Sequence, residues 1–135
     1  MVSYLFIQKV RAQSRLLKRL LLSALMTGVL GLSAHVNAKD INAESAWKQI
    51  EQQAVVIDVR TANEFAAGHI EGAINIPFEE IVEGVNALNL TKDSPIVLYC
   101  RSGRRSGIAD NALTEAGYSQ SMNAGGFNAL VEAKP

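Results

Sequence analysis

The stretch Pro95–Ser106, PIVLYCRSGRRS, constrains this chain more than any other. Ile96-Val97-Leu98-Tyr99 is a short apolar run of strand length, and it leads directly into Cys100, the only cysteine in the sequence. Arg101, Ser102, Gly103, Arg104 and Arg105 follow, and then a segment with helical spacing. A strand that hands a lone thiol to a glycine-containing loop, which then opens a helix, suits a reactive thiolate. Backbone N–H groups at a helix start and three arginines all stabilise negative charge on sulfur.

The rest of the chain supplies matching units. Asn42 is a good helix N-cap, and Ala43, Ala46, Trp47 and Ile50 recur at the spacing of one buried helical face. Ala54–Val59 is a short, β-branched apolar run, as expected of a strand covered on both faces. Thr61-Ala62-Asn63-Glu64 fits a capping box and Gly68 a helix C′ glycine, predicting a short helix over Thr61–Ala67. Gly72–Pro77 reads as a strand closed by proline. Phe78, Ile81, Val82, Val85 and Leu88 form another helical face, weakened by Gly84. After the cysteine loop, Ile108, Ala109, Ala112, Leu113 and Ala116 line one side of a helix stopped by Gly117. Ser119–Asn123 is a last weak strand, Gly125-Gly126 a turn and Phe127–Ala133 a short closing helix. Strands alternating with helices predict an α/β fold, with helices flanking a central, mostly parallel sheet. Ligands bind beyond the carboxyl ends of strands in such sheets, where Cys100 falls.

Charge divides the chain. Lys9, Arg11, Arg15, Lys18 and Arg19 precede any acid, whereas from Lys39 onward 13 acidic residues face 8 basic ones, a net −5. A net negative domain argues against nucleic acid or an anionic membrane as partner. The basic loop after Cys100 suits a small anion instead. Leu20–Ala34 is an uncharged run of 15 residues, shorter than the ~18 expected of a membrane span. Val36-Asn37-Ala38 then offers small residues at −3 and −1 for cleavage before Lys39. Residues 1–38 are therefore expected to be a signal peptide and 39–135 the domain, with a periplasmic, membrane-free mature chain. An uncleaved anchor and a start assigned too far upstream are the alternatives.

In an exported domain an unpaired cysteine suggests a reactive thiol or an intermolecular bridge. The bland alternative, a buried inert cysteine, fits the composition but not the surroundings. A free thiol has a pKa of about 8.5, which helix N-termini and cationic neighbours lower. Gly103 can adopt the positive φ of a tight loop and turn successive N–H groups inward as an anion nest. Such a nest fits a thiolate, a persulfide or an oxyanion bound beside it.

The motifs Val56-Ile57-Asp58-Val59-Arg60, Glu64-Phe65, Gly68–Pro77, Cys100–Ser106 and Gly125-Gly126-Phe127, in that order, resemble the rhodanese-like sulfurtransferases in their single-domain form. Among these, the chain looks most like the periplasmic phage-shock type of thiosulfate sulfurtransferase. The resemblance implies a rhodanese-like three-layer domain and a double displacement. Cys100 would attack the sulfane sulfur of thiosulfate, expel sulfite, and pass the sulfur of its persulfide to cyanide or a thiol, without metal or organic cofactor. Arg101, Ser102, Gly103, Arg104 and Arg105 would bind the donor. Related phosphatases and arsenate reductases use C-x5-R. Here Arg105 gives C-x4-R, a cradle one residue shorter that suits a sulfur atom better than a phosphoryl group. Mercaptopyruvate-specific relatives carry small uncharged loops, so the three arginines favour a compact dianion. A persulfide carrier or redox sensor that hands sulfur to a partner protein is the competing reading.

Other residues have blander expectations. Asp58 and Arg60 are read as structural, with Arg60 pairing to Glu64. His69 is read as a hydrogen-bonded turn residue rather than a base. Trp47 and Phe65 are core by spacing, and Arg104 is the arginine best explained as a solvated surface charge. A domain of about 97 residues can fold alone, so a monomer or weak homo-oligomer is expected.

Overall fold

The computed structural model describes residues 39–135; the expected signal peptide lies outside the described residues. Four strands form one sheet: β1 (Val55–Asp58), β2 (Ile74–Asn75), β3 (Ile96–Cys100) and β4 (Ser121–Gly126), in the order β2-β1-β3-β4. Every pairing is parallel. Parallel strands need crossovers, and the helices supply them: α1 (Ala43–Glu51), α2 (Ala62–Ala66), α3 (Ile81–Ala87), α4 (Arg104–Glu115) and α5 (Phe127–Glu132), with a 3-10 turn at Phe78–Glu80.

The alternation of side chains along the strands divides the core in two. Ile57, Val59, Leu98 and Cys100 face one way, with Ile81 and Val85 of α3 and Ala109 and Leu113 of α4. Val56, Val97, Tyr99 and Met122 face the other, with Ala46 and Trp47 of α1 and Leu130 of α5. This is the expected sheet between two helical layers. Trp47 is buried and donates its indole Nε1–H to the Leu130 carbonyl at 2.8 Å, which ties α1 to α5. Gly84, which weakens α3 as a helix, is a packing device. A Cβ there would stand 2.6 Å from Ile76 Cγ2, so the glycine lets α3 settle on Ile76, just past the end of β2.

The local signals hold where capping chemistry speaks. Asn42 Oδ1 accepts from Ser45 N–H at 2.8 Å. Thr61 forms its capping box with Glu64, although it caps α2 from outside and the helix ends at Ala66. Four expectations need correction. The Gly72–Pro77 strand shrinks to Ile74–Asn75, because Gly72 takes φ 78° in a turn that the Ala73 N–H closes on the Ile70 carbonyl at 2.9 Å; the Asn75 carboxamide donates to the carbonyls of Asp58 and Arg60 at 2.9 Å each. The last strand runs three residues further, to Gly126, and Gly125-Gly126 belongs to it rather than to a turn. On α4 the buried stripe is Ser106, Ala109, Asp110 and Leu113, while Ile108 is 45% exposed. Two polar residues in that stripe conceal it from an apolar periodicity. Phe65 is half-buried on the short α2 and belongs to neither core cluster.

Candidate active site

β3 is buried along its whole length and ends on Cys100, which is 1% exposed. The sheet order reverses between β1 and β3, so the carboxyl ends of these two strands border a topological switch point, the usual place for a ligand in an open α/β sheet. Arg60 stands just past one of those ends and Cys100 at the other.

The cradle is built from backbone. Gly103 takes φ 91°, which a residue with a side chain adopts only under strain, and it turns its N–H onto Cys100 Sγ at 3.1 Å. Burial pushes the Cys100 thiol up, but the Ser106 hydroxyl and the amides of Ser106, Ser102 and Gly103 outweigh it and hold the thiol below its ordinary value. A second layer of backbone closes over the loop. Between Leu98↔Asn123 and Cys100↔Gly126 the register of β3 and β4 shifts by one residue, a β-bulge. The bulge brings Gly125 and Gly126 against the loop: a Cβ on Gly103 would meet Gly125 Cα at 3.3 Å, and one on Gly126 would meet the Arg101 carbonyl oxygen at 2.8 Å. The glycine pair is thus a close approach of two main chains.

Beneath the cradle lies a polar network that sequence reading missed. Ser106 Oγ lies 3.5 Å from Cys100 Sγ, 3.1 Å from the Gly103 carbonyl and 2.7 Å from Asn123 Oδ1. Asn123 Oδ1 also accepts from Gly125 N–H at 3.0 Å, and its Nδ2 donates to Asp40 Oδ1 at 2.7 Å and to the Gly103 carbonyl at 3.2 Å. No local pattern marks Asn123. Ser106 had one available signal, its place at the third position of the helix that Gly103 opens.

The three arginines differ in their surroundings. Arg105 donates from both terminal nitrogens to the two Glu64 oxygens at 2.8 Å each, joining α4 to α2. The Arg105 contact holds the Glu64 carboxyl at about 2 against a smaller opposing effect of burial, and the Cys100 sulfur adds to the stabilisation of the Arg105 cation. Arg101 and Arg104 are exposed and form no ion pair among the described residues. Arg101, with Arg60, Glu64, Ala67, Phe127 and Asn128, lines a cleft of about 290 Å³. Arg104 does not line it. Ser102 is exposed and contributes through its amide.

The Arg60–Glu64 pairing expected from sequence is replaced by two others. Arg60 turns back onto Asp58, with Nη2 to Oδ2 at 2.6 Å and Nε to both oxygens at 2.9 and 3.0 Å, and donates again to the Gly68 carbonyl at 2.7 Å. Its guanidinium also lies 4.5 Å from the Phe127 ring centroid. A buried carboxylate two residues away is a better partner than a half-exposed one on the next helix, and Glu64 is left free for Arg105. His69 is exposed, stacks on Phe65 with ring centroids 3.8 Å apart and donates from Nδ1 to the Phe65 carbonyl at 3.0 Å. Among the described residues no cluster of three His, Cys, Asp or Glu could hold a metal ion, and no helix is long and apolar enough to cross a membrane.

This geometry has known counterparts. Residues 42–133 match the family model of the rhodanese-like domain. The thiosulfate sulfurtransferase PspE of Escherichia coli K12 is 38% identical over 78 residues, which cover 58% of this chain and 75% of that protein. The thiosulfate sulfurtransferase GlpE of Pseudomonas fluorescens is 37% identical over 90 residues, 66% of this chain and 81% of that one. Among solved structures, the human single-domain sulfurtransferase TSTD1 superposes with a TM-score of 0.63 at 25% identity, covering 73% of this chain and 99% of its own. A rhodanese from E. coli solved with anions gives 0.54 at 38% identity, over 56% of this chain and 89% of its own.

Proposed function

The chain belongs to the rhodanese-like domain family of sulfurtransferases, and on that premise we propose that it is an exported thiosulfate sulfurtransferase acting through a Cys100 persulfide. The observation that carries the proposal is the Gly103 N–H donated to Cys100 Sγ at 3.1 Å, with the Ser102 and Ser106 amides converging on the same sulfur. In the first step the Cys100 thiolate attacks the sulfane sulfur of thiosulfate. The S–S bond of the donor breaks, its electron pair leaves with sulfite, and Cys100 carries the persulfide. In the second step cyanide or a thiolate attacks the outer sulfur and regenerates the Cys100 thiolate.

The Ser106 hydroxyl and the loop amides hold the thiol below its ordinary value, which favours the thiolate as the nucleophile. The amides that hold the thiolate are positioned to hold the persulfide that replaces it, at no cost of rearrangement. Arg101 at the cleft is the leading candidate to meet the sulfonate end of the donor, and Arg104 adds long-range attraction for an anion. Arg105 acts mainly by fixing α4 against α2, with part of its charge felt at sulfur. Gly103 and Ser102 serve through their backbone.

Residues 1–38 are assigned as a signal peptide on their basic start, short apolar run and small residues before Lys39, with 39–135 as the exported domain. The test is the intact mass of the protein after incubation with thiosulfate. One added sulfur atom that cyanide removes and that Cys100→Ser never acquires is the expected result. No added sulfur on the parent protein overturns the reading. A persulfide that forms without steady-state production of thiocyanate and sulfite favours the carrier alternative.

A further inference from the structure

Asp110 lies in the middle of α4, on its buried face, and is 0% exposed. Its carboxylate accepts from Ser121 Oγ and, at Oδ2, from the Lys39 backbone nitrogen at 2.6 Å. Among the described residues no lysine or arginine side chain forms a salt bridge with it. A carboxylate buried without a cation is expensive, on the order of several kcal/mol. The charged groups that bear on it are the exposed Asp40, which opposes its ionisation, and the Lys39 side chain, which favours it. Burial is the largest influence and pushes the Asp110 carboxyl up. The 2.6 Å contact is shorter than an amide usually makes to oxygen, and charge-assisted contacts are the shorter class.

Lys39 is also the residue before which the small residues Val36-Asn37-Ala38 place the expected cut. We infer that cleavage between Ala38 and Lys39 creates the missing counter-ion, and that the new α-ammonium of Lys39 closes an ion pair with buried Asp110. Hydrolysis of that peptide bond by an endoprotease of the export route consumes one water. It leaves a carboxylate on Ala38 and an amine on Lys39, which takes up a proton at neutral pH. The cut therefore makes a ligand for the fold as well as removing a segment.

The ion pair bears on the cradle through two elements. Asp110 sits on α4, whose first turn carries Ser106 beneath the sulfur. The Lys39 carbonyl accepts from Asn123 N–H at 2.9 Å, Ile41 N–H donates to the Asn123 carbonyl at 2.9 Å, and Asp40 holds Asn123 Nδ2. Asn123 is the residue that supports Ser106, Gly103 and Gly125. The processed N-terminus would thus fasten α4 and β4 to each other.

The inference rests on the export reading, and its test separates the two. The full chain is expressed in an exporting bacterial host and the released protein is weighed intact. A variant carries one glutamine inserted between Ala38 and Lys39, which moves the new amine one residue away from Asp110; its N-terminus is checked by mass. Both are also made with Asp110→Asn. The expected result is a released protein that begins at Lys39, a Tm lowered by roughly 4–8 °C by the insertion, and no such difference in the Asp110→Asn pair. Labelling with an amine-reactive ester should be slower at the Lys39 α-amine of the parent than in Asp110→Asn. A released protein that begins elsewhere overturns the cleavage assignment and the ion pair with it. A protein that begins at Lys39 but melts at the same temperature with and without the insertion overturns the ion pair and leaves the export reading standing.

Discussion

Arg105 and Glu64 share two parallel hydrogen bonds of 2.8 Å, so the arginine that ends the C-x4-R loop is committed to a neighbouring helix before any anion arrives. The same Glu64 closes the capping box of α2 through Thr61. One carboxylate therefore fixes both the start of α2 and the position of Arg105.

Replacing Glu64 by Gln should cost about 1 kcal/mol or less, because the Glu64 side chain is 30% exposed and solvent screens the pair. The effect has a pH signature. The folded-state carboxyl is held at about 2, below its unfolded value, so its contribution is complete above about pH 4.5 and is lost as pH falls toward 2. Thermal melts of the parent across that window should converge on those of Glu64→Gln. Parallel curves at all pH values would contradict the assignment.

Ser106→Ala removes the hydroxyl that helps hold the Cys100 thiol down. The thiol pKa should rise, so alkylation by iodoacetamide, followed as a function of pH, should titrate at higher pH than in the parent. An unchanged or lower midpoint would show that the hydroxyl serves Asn123 alone.

Gly126→Ala drives a Cβ to 2.8 Å from the Arg101 carbonyl, backbone against backbone, where no flexible side chain can give way. Overpacking of this kind costs about 1–3 kcal/mol, and part of it should appear as displacement of the loop. Sulfur transfer is expected to fall at least roughly tenfold, the equivalent of 1.4 kcal/mol at the barrier, while the protein remains folded by circular dichroism. Full activity would mean that the two main chains can separate without loss.

Asp58→Ala strands the Arg60 guanidinium, 6% exposed, without its bidentate partner. Loss of one member of a buried pair costs about 3–5 kcal/mol, and urea midpoints should drop accordingly. A loss below about 1 kcal/mol would indicate that the Gly68 carbonyl and the Phe127 ring are sufficient for Arg60.

Elements governed by local chemistry were legible in the sequence. Asn42 and Thr61 cap as expected, the runs at Val55–Asp58 and Ile96–Cys100 are strands, and Gly103 turns the loop with positive φ. The cysteine and its amide cradle followed from the order strand, glycine loop, helix. The pairings did not follow, because a charged residue chooses its partner by distance in three dimensions. Arg60 reaches Asp58 and Arg105 reaches Glu64, a residue 41 positions earlier that only the tertiary fold brings within reach. Asn123 was hidden for a related reason: its role depends on β4 pairing beside β3, which sets its carboxamide on the carbonyl of Gly103, 20 residues earlier. The polar stripe of Ser106 and Asp110 on α4 displaced the apolar face read at Ile108 because both residues serve buried partners.

The sheet also has a defence against misassembly. β4 lies at one edge of the parallel sheet, where unpaired N–H and C=O groups would template another chain. Lys39 and Ile41 occupy both backbone groups of Asn123, and the Gly125 amide is turned inward onto the Asn123 carboxamide. The opposite edge, β2, is two residues long and offers little to pair with. The strand end whose glycines press against the Cys100 loop therefore has part of its edge already occupied.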